Sequence, residues 1–203
     1  MTIEVKISKR LISYNYSLNF LKRRVKKLKT GKGSELIWLL EHPTTFTSGI
    51  RFDKKDILNN KIKIFQTDRG GKITLHNPGQ KIVYLVLNLN KRQKDIRKLI
   101  NIIEKSIIEF LNFFGIKSYA DKKNIGIWVK EKKIAAIGIK VTKWIAYHGC
   151  SINIDNNLEQ YLNINPCGLE NSKITSIYNE KKKKIKGVNK KLIEVFMKNI
   201  NNF

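Results

Sequence analysis

Apolar residues recur at helical spacing at Leu18, Leu21, Val25 and Leu28, so residues 17–29 read as an amphipathic helix closed by Gly31. Residues 36–41 form a short apolar run that reads as a buried strand, ended by His42-Pro43. The run IVYLVLNL at 82–89 is β-branched, aromatic and one strand long. A second helix is better marked. Asp95 can cap it, Ile96, Leu99, Ile100, Ile103, Ile107, Phe110, Leu111 and Phe114 form its apolar stripe, and Gly115 ends it.

Two apolar runs around a charged turn, NIGIWV-KEKK-IAAIGIKV, predict a hairpin. A strand over 147–154 and a helix over 190–199 complete the pattern. The hairpin and the short connections resist a strict βαβ alternation, so the expected class is α+β on a mixed or mostly antiparallel sheet. No repeat or Pro/Gly/Ser-rich linker divides the 203 residues, and one domain over 1–203 is expected.

Composition narrows the picture. Two cysteines, Cys150 and Cys167, cannot build a disulfide framework and lack the Cys/His spacing of a zinc site, which fits a reducing cytoplasm and predicts no metal. The N-terminus has no apolar core of a signal peptide, and no window approaches 18 uninterrupted apolar residues, so neither export nor a membrane span is expected. The net charge of +25 ordinarily suggests nucleic acid, a membrane surface or an acidic protein partner, but the lysines are scattered among abundant Ile and Asn, as A/T-rich codons would leave them. The lysine-rich run at 181–186 reads as a solvated loop.

Three polar, glycine-containing segments interrupt this framework. In TDRGGKITLHNPGQ, Arg69-Gly70-Gly71 precedes a strand of a few residues and His76 opens the next turn, so a fixed charge and a titratable ring could border one pocket. In KKIAAIGIK, the small residues Ala135, Ala136 and Gly138 keep a strand slim for close approach, and simple alternation puts Lys133 on one face with Ala135, Ile137 and Ile139. Locally, Lys130, Lys132 and Lys133 all read as lysines that solvate the turn, and spacing does not choose among them. In YHGCSINI, His148-Gly149 starts a strand in which His148 and Cys150 share a side, with Cys150 a core filler. Cys167 lies in Pro166-Cys167-Gly168, a stiff turn that either presents the thiol or uses it to fill a bend, which makes it the better nucleophile candidate.

The blocks LLEHPTTFTSG (39–49), RGGKITLHNPGQ (69–80), GIWVKEKKIAAIG (126–138), HGCSINID (148–155), INPCGL (164–169) and ITSI (174–177), in this order, resemble the lipoyl(octanoyl) transferase family. The resemblance implies the α/β fold of lipoate- and biotin-protein ligases and a cysteine/lysine dyad. The cysteine falls on Cys167 and the lysine on Lys133, which opens the KIAAIG block, rather than on Lys140. Acyl-binding segments carry over to Arg69, Gly70, Gly71, Lys72, Ile73, Thr74, Leu75 and His76, to Ala136, Ile137 and Gly138, and to Gly149, Cys150 and Ser151. Asn77 stands where the family usually has glycine; asparagine tolerates left-handed backbone better than other residues.

The implied chemistry is octanoyl transfer from octanoyl-acyl carrier protein to a lysine of a lipoyl domain, with no nucleotide or metal. Acceptors are lipoyl domains of 2-oxoacid dehydrogenase complexes, with the glycine cleavage H protein a further candidate. An unperturbed thiol is only a few per cent ionised at neutral pH, and a lysine ammonium beside it favours the thiolate and can pass protons. Backbone donors near Gly168 and in the Gly70-Gly71 loop are candidates for the oxyanion hole. Two rival readings are an ATP-dependent lipoate-protein ligase, which would not need Cys167, and a basic nucleic-acid-binding module. The second is disfavoured because aromatics do not interleave with a basic stripe and no standard RNA- or DNA-binding signature appears.

Overall fold

The apolar runs at 35–40 and 80–88 lack polar alternation because both faces of the strands they form are covered. The computed structural model of the chain describes residues 2–166 and 174–203. In chain order the elements are β1 (Ile3–Ile7), α1 (Tyr14–Lys29), β2 (Glu35–Leu40), β3 (Thr45–Ser48), β4 (Ile64–Gln66), β5 (Ile73–His76) and β6 (Gln80–Asn88). There follow α2 (Ile96–Phe113), β7 (Tyr119–Ala120), β8 (Ile127–Val129), β9 (Lys132–Thr142), β10 (Ile145–Asn153), α3 (Ile177–Lys181) and α4 (Val188–Asn201).

A seven-stranded sheet runs in the order β1-β2-β6-β10-β9-β8-β7, parallel only between β1 and β2. Alternate residues of its strands serve two cores. Ile37, Leu39, Val83, Leu85 and Leu87 meet Leu99, Ile103, Ile107 and Phe110 of α2 and Leu192, Val195 and Phe196 of α4. Leu36, Trp38, Leu40, Ile82, Tyr84 and Val86 meet Leu21, Val25 and Leu28 of α1. A smaller sheet, β4-β3-β5, has its own cluster of Phe46, Ile73, Leu75, Tyr161 and Ile164.

Local signals set the element ends. Ser13 caps α1 by accepting from the Tyr16 N–H, and Asp95 caps α2 by accepting from the Lys98 N–H, contacts worth about 1 kcal/mol each. Gly31 and Gly115 follow their helices with φ of 71° and 70°. The expected helices and strands all form, with α1 starting three residues earlier than the apolar stripe suggests. The short strands β1, β3, β4 and β7 and the helix α3 carry too little periodicity to be read from the sequence.

Three local expectations are corrected. A register shift between β8 and β9 pairs Ile127 with Ala135 but Trp128 with Lys133, so Ile134 is the extra residue of a bulge. Ile134 and Ala135 both enter the helix-covered core, and Lys133 pairs opposite Trp128 instead of sharing a face with Ala135. His148 and Gly149 lie inside β10 rather than at its start. The alternation also breaks at His148, whose φ is 70°: its ring stacks on Tyr147 and meets Tyr84, while Cys150 packs into the helix-covered core.

Candidate active site

The Arg69-Gly70-Gly71 loop is pinned between the two sheets. Arg69 is buried, and its Nη2 donates to the Thr47 carbonyl and hydroxyl of β3 at 2.8 and 2.9 Å. The Gly70 N–H donates to the Ile139 carbonyl of β9 at 3.0 Å, which engages that donor and leaves it outside any oxyanion hole. The loop rests on Gly138, where a Cβ would come within 3.1 Å of the Gly70 carbonyl oxygen and 3.2 Å of Arg69 Cδ. Gly138 is small because a backbone loop lies on it.

Between this loop and the main sheet runs a narrow cleft of 60 Å³. Arg69, Gly71 and Lys72 line it from the loop, and Ile73, Thr74 and His76 from β5. Ala136, Ile137 and Gly138 of β9 and Gly149, Cys150 and Ser151 of β10 line the opposite side. Of the expected binding residues, Gly70 turns instead to a larger outer cavity, and Leu75 is fully buried in the small-sheet cluster. Tyr14, Ile82, Tyr84 and His148 complete the lining. Cys150 is a buried thiol that burial pushes far above the ordinary range, which suits packing and not nucleophilic attack.

Asn77 keeps a negative φ, and the positive φ of this turn falls on Gly79 at 84°. Its buried side chain donates to the Asn157 carbonyl at 2.7 Å and accepts from Asn156 Nδ2 at 2.9 Å, so it ties the turn down by hydrogen bonds.

All three histidines stand near the cleft. His42 Nδ1–H donates to the Ile12 carbonyl, and its Nε2 accepts from the Tyr84 hydroxyl at 2.8 Å. His76 Nδ1–H donates to Gln80 Oε1 at 2.7 Å, and its ring stacks on Tyr14 at 5.9 Å. Gln80 is fixed in turn by donating to the Leu75 carbonyl, Asn153 Oδ1 and the Tyr161 hydroxyl. His148 Nε2–H donates to Asp68 Oδ1 at 2.9 Å, and Asp68 also accepts from the Tyr147 hydroxyl and pairs with Lys140 at 3.7 Å. The hydrogen bonds from His148 and then Tyr147 hold the Asp68 carboxyl far below the usual carboxylate range.

Burial pushes His42 down to about 4 and His76 down to about 3, so both rings stay neutral in the folded protein. The unfolded chain takes up these protons near pH 6.5, so the stability the neutral rings confer is complete above that pH and is lost as pH falls towards the folded values. With both rings protonated only in the unfolded chain, the slope approaches about 2.7 kcal/mol per pH unit near pH 5 and falls off below it as the folded His42 itself takes up a proton. Urea midpoints taken at pH 7, 6 and 5 are expected to fall steeply over the last step; a flat series would contradict neutral burial.

Lys133 is 4% exposed, unlike a lysine that solvates a turn. Its Nζ donates to the Ile125 carbonyl at 2.9 Å and lies 5.4 Å from the centre of the Trp128 ring. Gly126 makes the room: with φ at 145°, a Cβ there would fall 2.3 Å from Lys133 Cε and 2.6 Å from the Ala135 carbonyl oxygen. Lys133 lines a small cavity with Thr74, Ala136, Ser151, Pro166 and Ile174, and this cavity shares Thr74, Ala136 and Ser151 with the cleft. The Thr175 N–H also donates to the Lys133 carbonyl at 2.9 Å. Cys167 and Gly168 lie outside the described residues. Lys140, by contrast, is more than a third exposed and belongs to the Asp68 group.

Sequence reasoning passed over Gly126, Tyr14, Tyr84 and Asp68. Gly126 could have been found from its place in the GIWV block, directly opposite the lysine-bearing strand. Tyr14, Tyr84 and Asp68 carry no local signal, because tertiary packing alone brings α1, β6 and the loop before Arg69 to the cleft.

The lipoyl protein ligase A/B catalytic domain family model matches residues 13–197. An octanoyltransferase of Bartonella tribocorum is 42% identical over 191 residues, covering 87% of this chain and 78% of its own. An octanoyltransferase of Ehrlichia chaffeensis is 44% identical over 181 residues, covering 86% and 85%. The fold recurs in protein Ta0514 of T. acidophilum with bound lipoic acid, at a TM-score of 0.81, 14% identity, and coverage of 99% of this chain and 87% of that one. It recurs more loosely in the biotin protein ligase of Aquifex aeolicus, at a TM-score of 0.57, 16% identity, and coverage of 100% and 71%. The match across most of the chain and the identity to named relatives lead to one conclusion: the protein belongs to the lipoyl protein ligase A/B catalytic domain family and, within it, to the octanoyltransferases, and is an acyltransferase.

Proposed function

We propose that this enzyme takes an octanoyl group from octanoyl-acyl carrier protein onto Cys167 as a thioester and passes it to a lysine of a lipoyl domain, with Lys133 as the proton carrier. The observation that carries this reading is the cavity shared by Lys133, Pro166 and Ile174, because Pro166 and Ile174 bracket in sequence the segment that holds Cys167. A buried ammonium beside a thiol favours the thiolate. The lipoyl-domain acceptors are those of 2-oxoacid dehydrogenase complexes, with the glycine cleavage H protein alongside them.

The steps balance without a nucleotide or a metal. The Cys167 thiolate attacks the donor's thioester carbonyl, the carbon–sulfur bond to the carrier's arm breaks, and the departing thiolate takes a proton from the Lys133 ammonium. The neutral acceptor amine then attacks the acyl-enzyme, hands a proton to the now neutral Lys133, and expels the Cys167 thiolate. The resting pair is restored and an amide has replaced a thioester. The octanoyl chain occupies the cleft, where Ile73, Ile82, Ala136 and Ile137 supply apolar walls and Arg69 fixes the loop. Among the described residues no helix is long and apolar enough to cross a membrane. The reading places a single catalytic domain in the cytoplasm with its carrier and acceptors.

The test is acyl transfer from octanoyl-acyl carrier protein to an unmodified lipoyl domain without ATP, followed by the mass of the acceptor. One octanoyl group on the acceptor lysine is expected. Modification that requires free octanoate and ATP would instead establish a ligase.

A further inference from the structure

A third and larger cavity, 550 Å³ in volume, opens on the outer side of the Gly70-Gly71 loop and is not used by the acyl-chain reading. It is continuous in lining with the cleft, sharing Gly71, Lys72, Ile137 and Gly138, and it meets the small cavity at Lys133. Its apolar walls come from Ile96 and Ile100 of α2, from Ile125, and from Ile137 and Ile139 of β9. Besides Lys133, its basic residues are Arg51, Lys72, Lys122 and Lys123. Lys72 is partly neutralised by the buried Asp56 at 3.5 Å. Arg51, Lys122 and Lys123 are exposed and take part in no ion pair among the described residues. The neighbouring carboxylate, Asp121, accepts backbone N–H bonds from Lys123 and Asn124.

A ligand for this space must reach Lys133 at its inner end, tolerate apolar walls along its length, and carry negative charge at its outer end. Resting on the thioester-donor reading above, we propose that this cavity receives the phosphate-bearing arm of the donor, with the thioester at Lys133 and the phosphate held by Arg51, Lys122 and Lys123. Arginine offers a planar fork to phosphate oxygens and lysine a mobile point charge, so the three together neutralise a phosphodiester without a metal. The acyl chain and the arm then leave the reacting carbonyl in two directions, one into the cleft and one outward.

The test compares two small donors on the full chain, octanoyl-4′-phosphopantetheine and octanoyl-pantetheine, which differ only in the phosphate, with a lipoyl domain as acceptor. For the wild type, kcat/KM is expected to be at least about tenfold higher with the phosphorylated donor, the range of one charge-assisted contact pair. Arg51→Glu, and separately Lys122→Glu with Lys123→Glu, should bring that ratio close to one. All these side chains are on the surface, so thermal unfolding should remain near wild type, and the ratio cancels any general loss of activity. Equal use of the two donors by the wild type, or a ratio that survives both charge reversals, overturns the proposal. Transfer from octanoate that needs ATP and is lost in the same variants would assign the cavity to a nucleotide phosphate and also overturn it. If the wild type uses neither small thioester nor octanoyl-acyl carrier protein, the donor reading itself fails and the proposal falls with it.

Discussion

Lys133→Ala is expected to lower octanoyl transfer about 10²–10⁴-fold, the usual range for loss of a positioned acid–base group. In the proposed route both half-reactions need a proton moved at the same place, first to the departing arm and then from the incoming amine, and Lys133 is the buried lysine that lines the cavity with Pro166 and Ile174. The substitution also strips the Ile125 carbonyl of its donor, a cost of about 1–3 kcal/mol, so activity should be read well below the variant's melting temperature. Lys133→Arg is not expected to rescue, because a guanidinium keeps its proton and the space beside Gly126 is already tight. Lys140→Ala should stay within a few-fold of wild type, since Lys140 pairs with Asp68 at the surface. The reverse pattern, with Lys140 essential and Lys133 dispensable, would mean that the dyad has been assigned to the wrong lysine.

Gly126→Ala should be nearly as damaging without touching a reacting group. The new methyl would need the space that Lys133 Cε and the Ala135 carbonyl oxygen now occupy, on a backbone whose φ of 145° already excludes side chains. Swinging Lys133 out of the cavity relieves the contact with its Cε, while the contact with the Ala135 carbonyl oxygen has to be met by a backbone shift, and a displacement of about 1 Å at a group such as Lys133 can cost about 10²-fold in rate. Backbone strain adds a stability cost of about 1–3 kcal/mol. The discriminating comparison is the double variant. With Lys133→Ala already present there is no lysine left to displace, so adding Gly126→Ala should lower the rate little further, whereas independent effects would multiply.

What the sequence made legible followed the strength of its periodicity. The α2 stripe from Ile96 to Phe114 and the buried run at 82–89 are long enough to declare their elements, and the glycine-flanked segments marked the cleft because close backbone approach demands small residues. The failures are as physical. Alternation misplaced Lys133 because a bulge at Ile134 inserts one residue, and it misplaced His148 because a left-handed backbone turns one side chain out of the strand's rhythm. The bulge leaves no mark in residue type, since isoleucine is an ordinary strand residue, and a histidine, though more tolerant of positive φ than most side chains, does not by itself announce one. The small strands β3 and β4 are held by pairing with segments well separated along the chain, which no local window can see, and β7 is two residues long, too short to show a period. The proposed dyad rests on motif resemblance, because a lysine in a charged turn reads locally as solvated.

The central claim is a covalent thioester on Cys167, and the most direct test is the intact mass of the enzyme after exposure to octanoyl-acyl carrier protein without ATP, for wild type and Cys167→Ser. The account predicts a single octanoyl adduct on the wild type that hydroxylamine removes, and no hydroxylamine-labile adduct on the variant. A folded wild-type protein that stays unmodified while still transferring octanoate to the lipoyl domain, or an adduct that persists unchanged in Cys167→Ser, would contradict it.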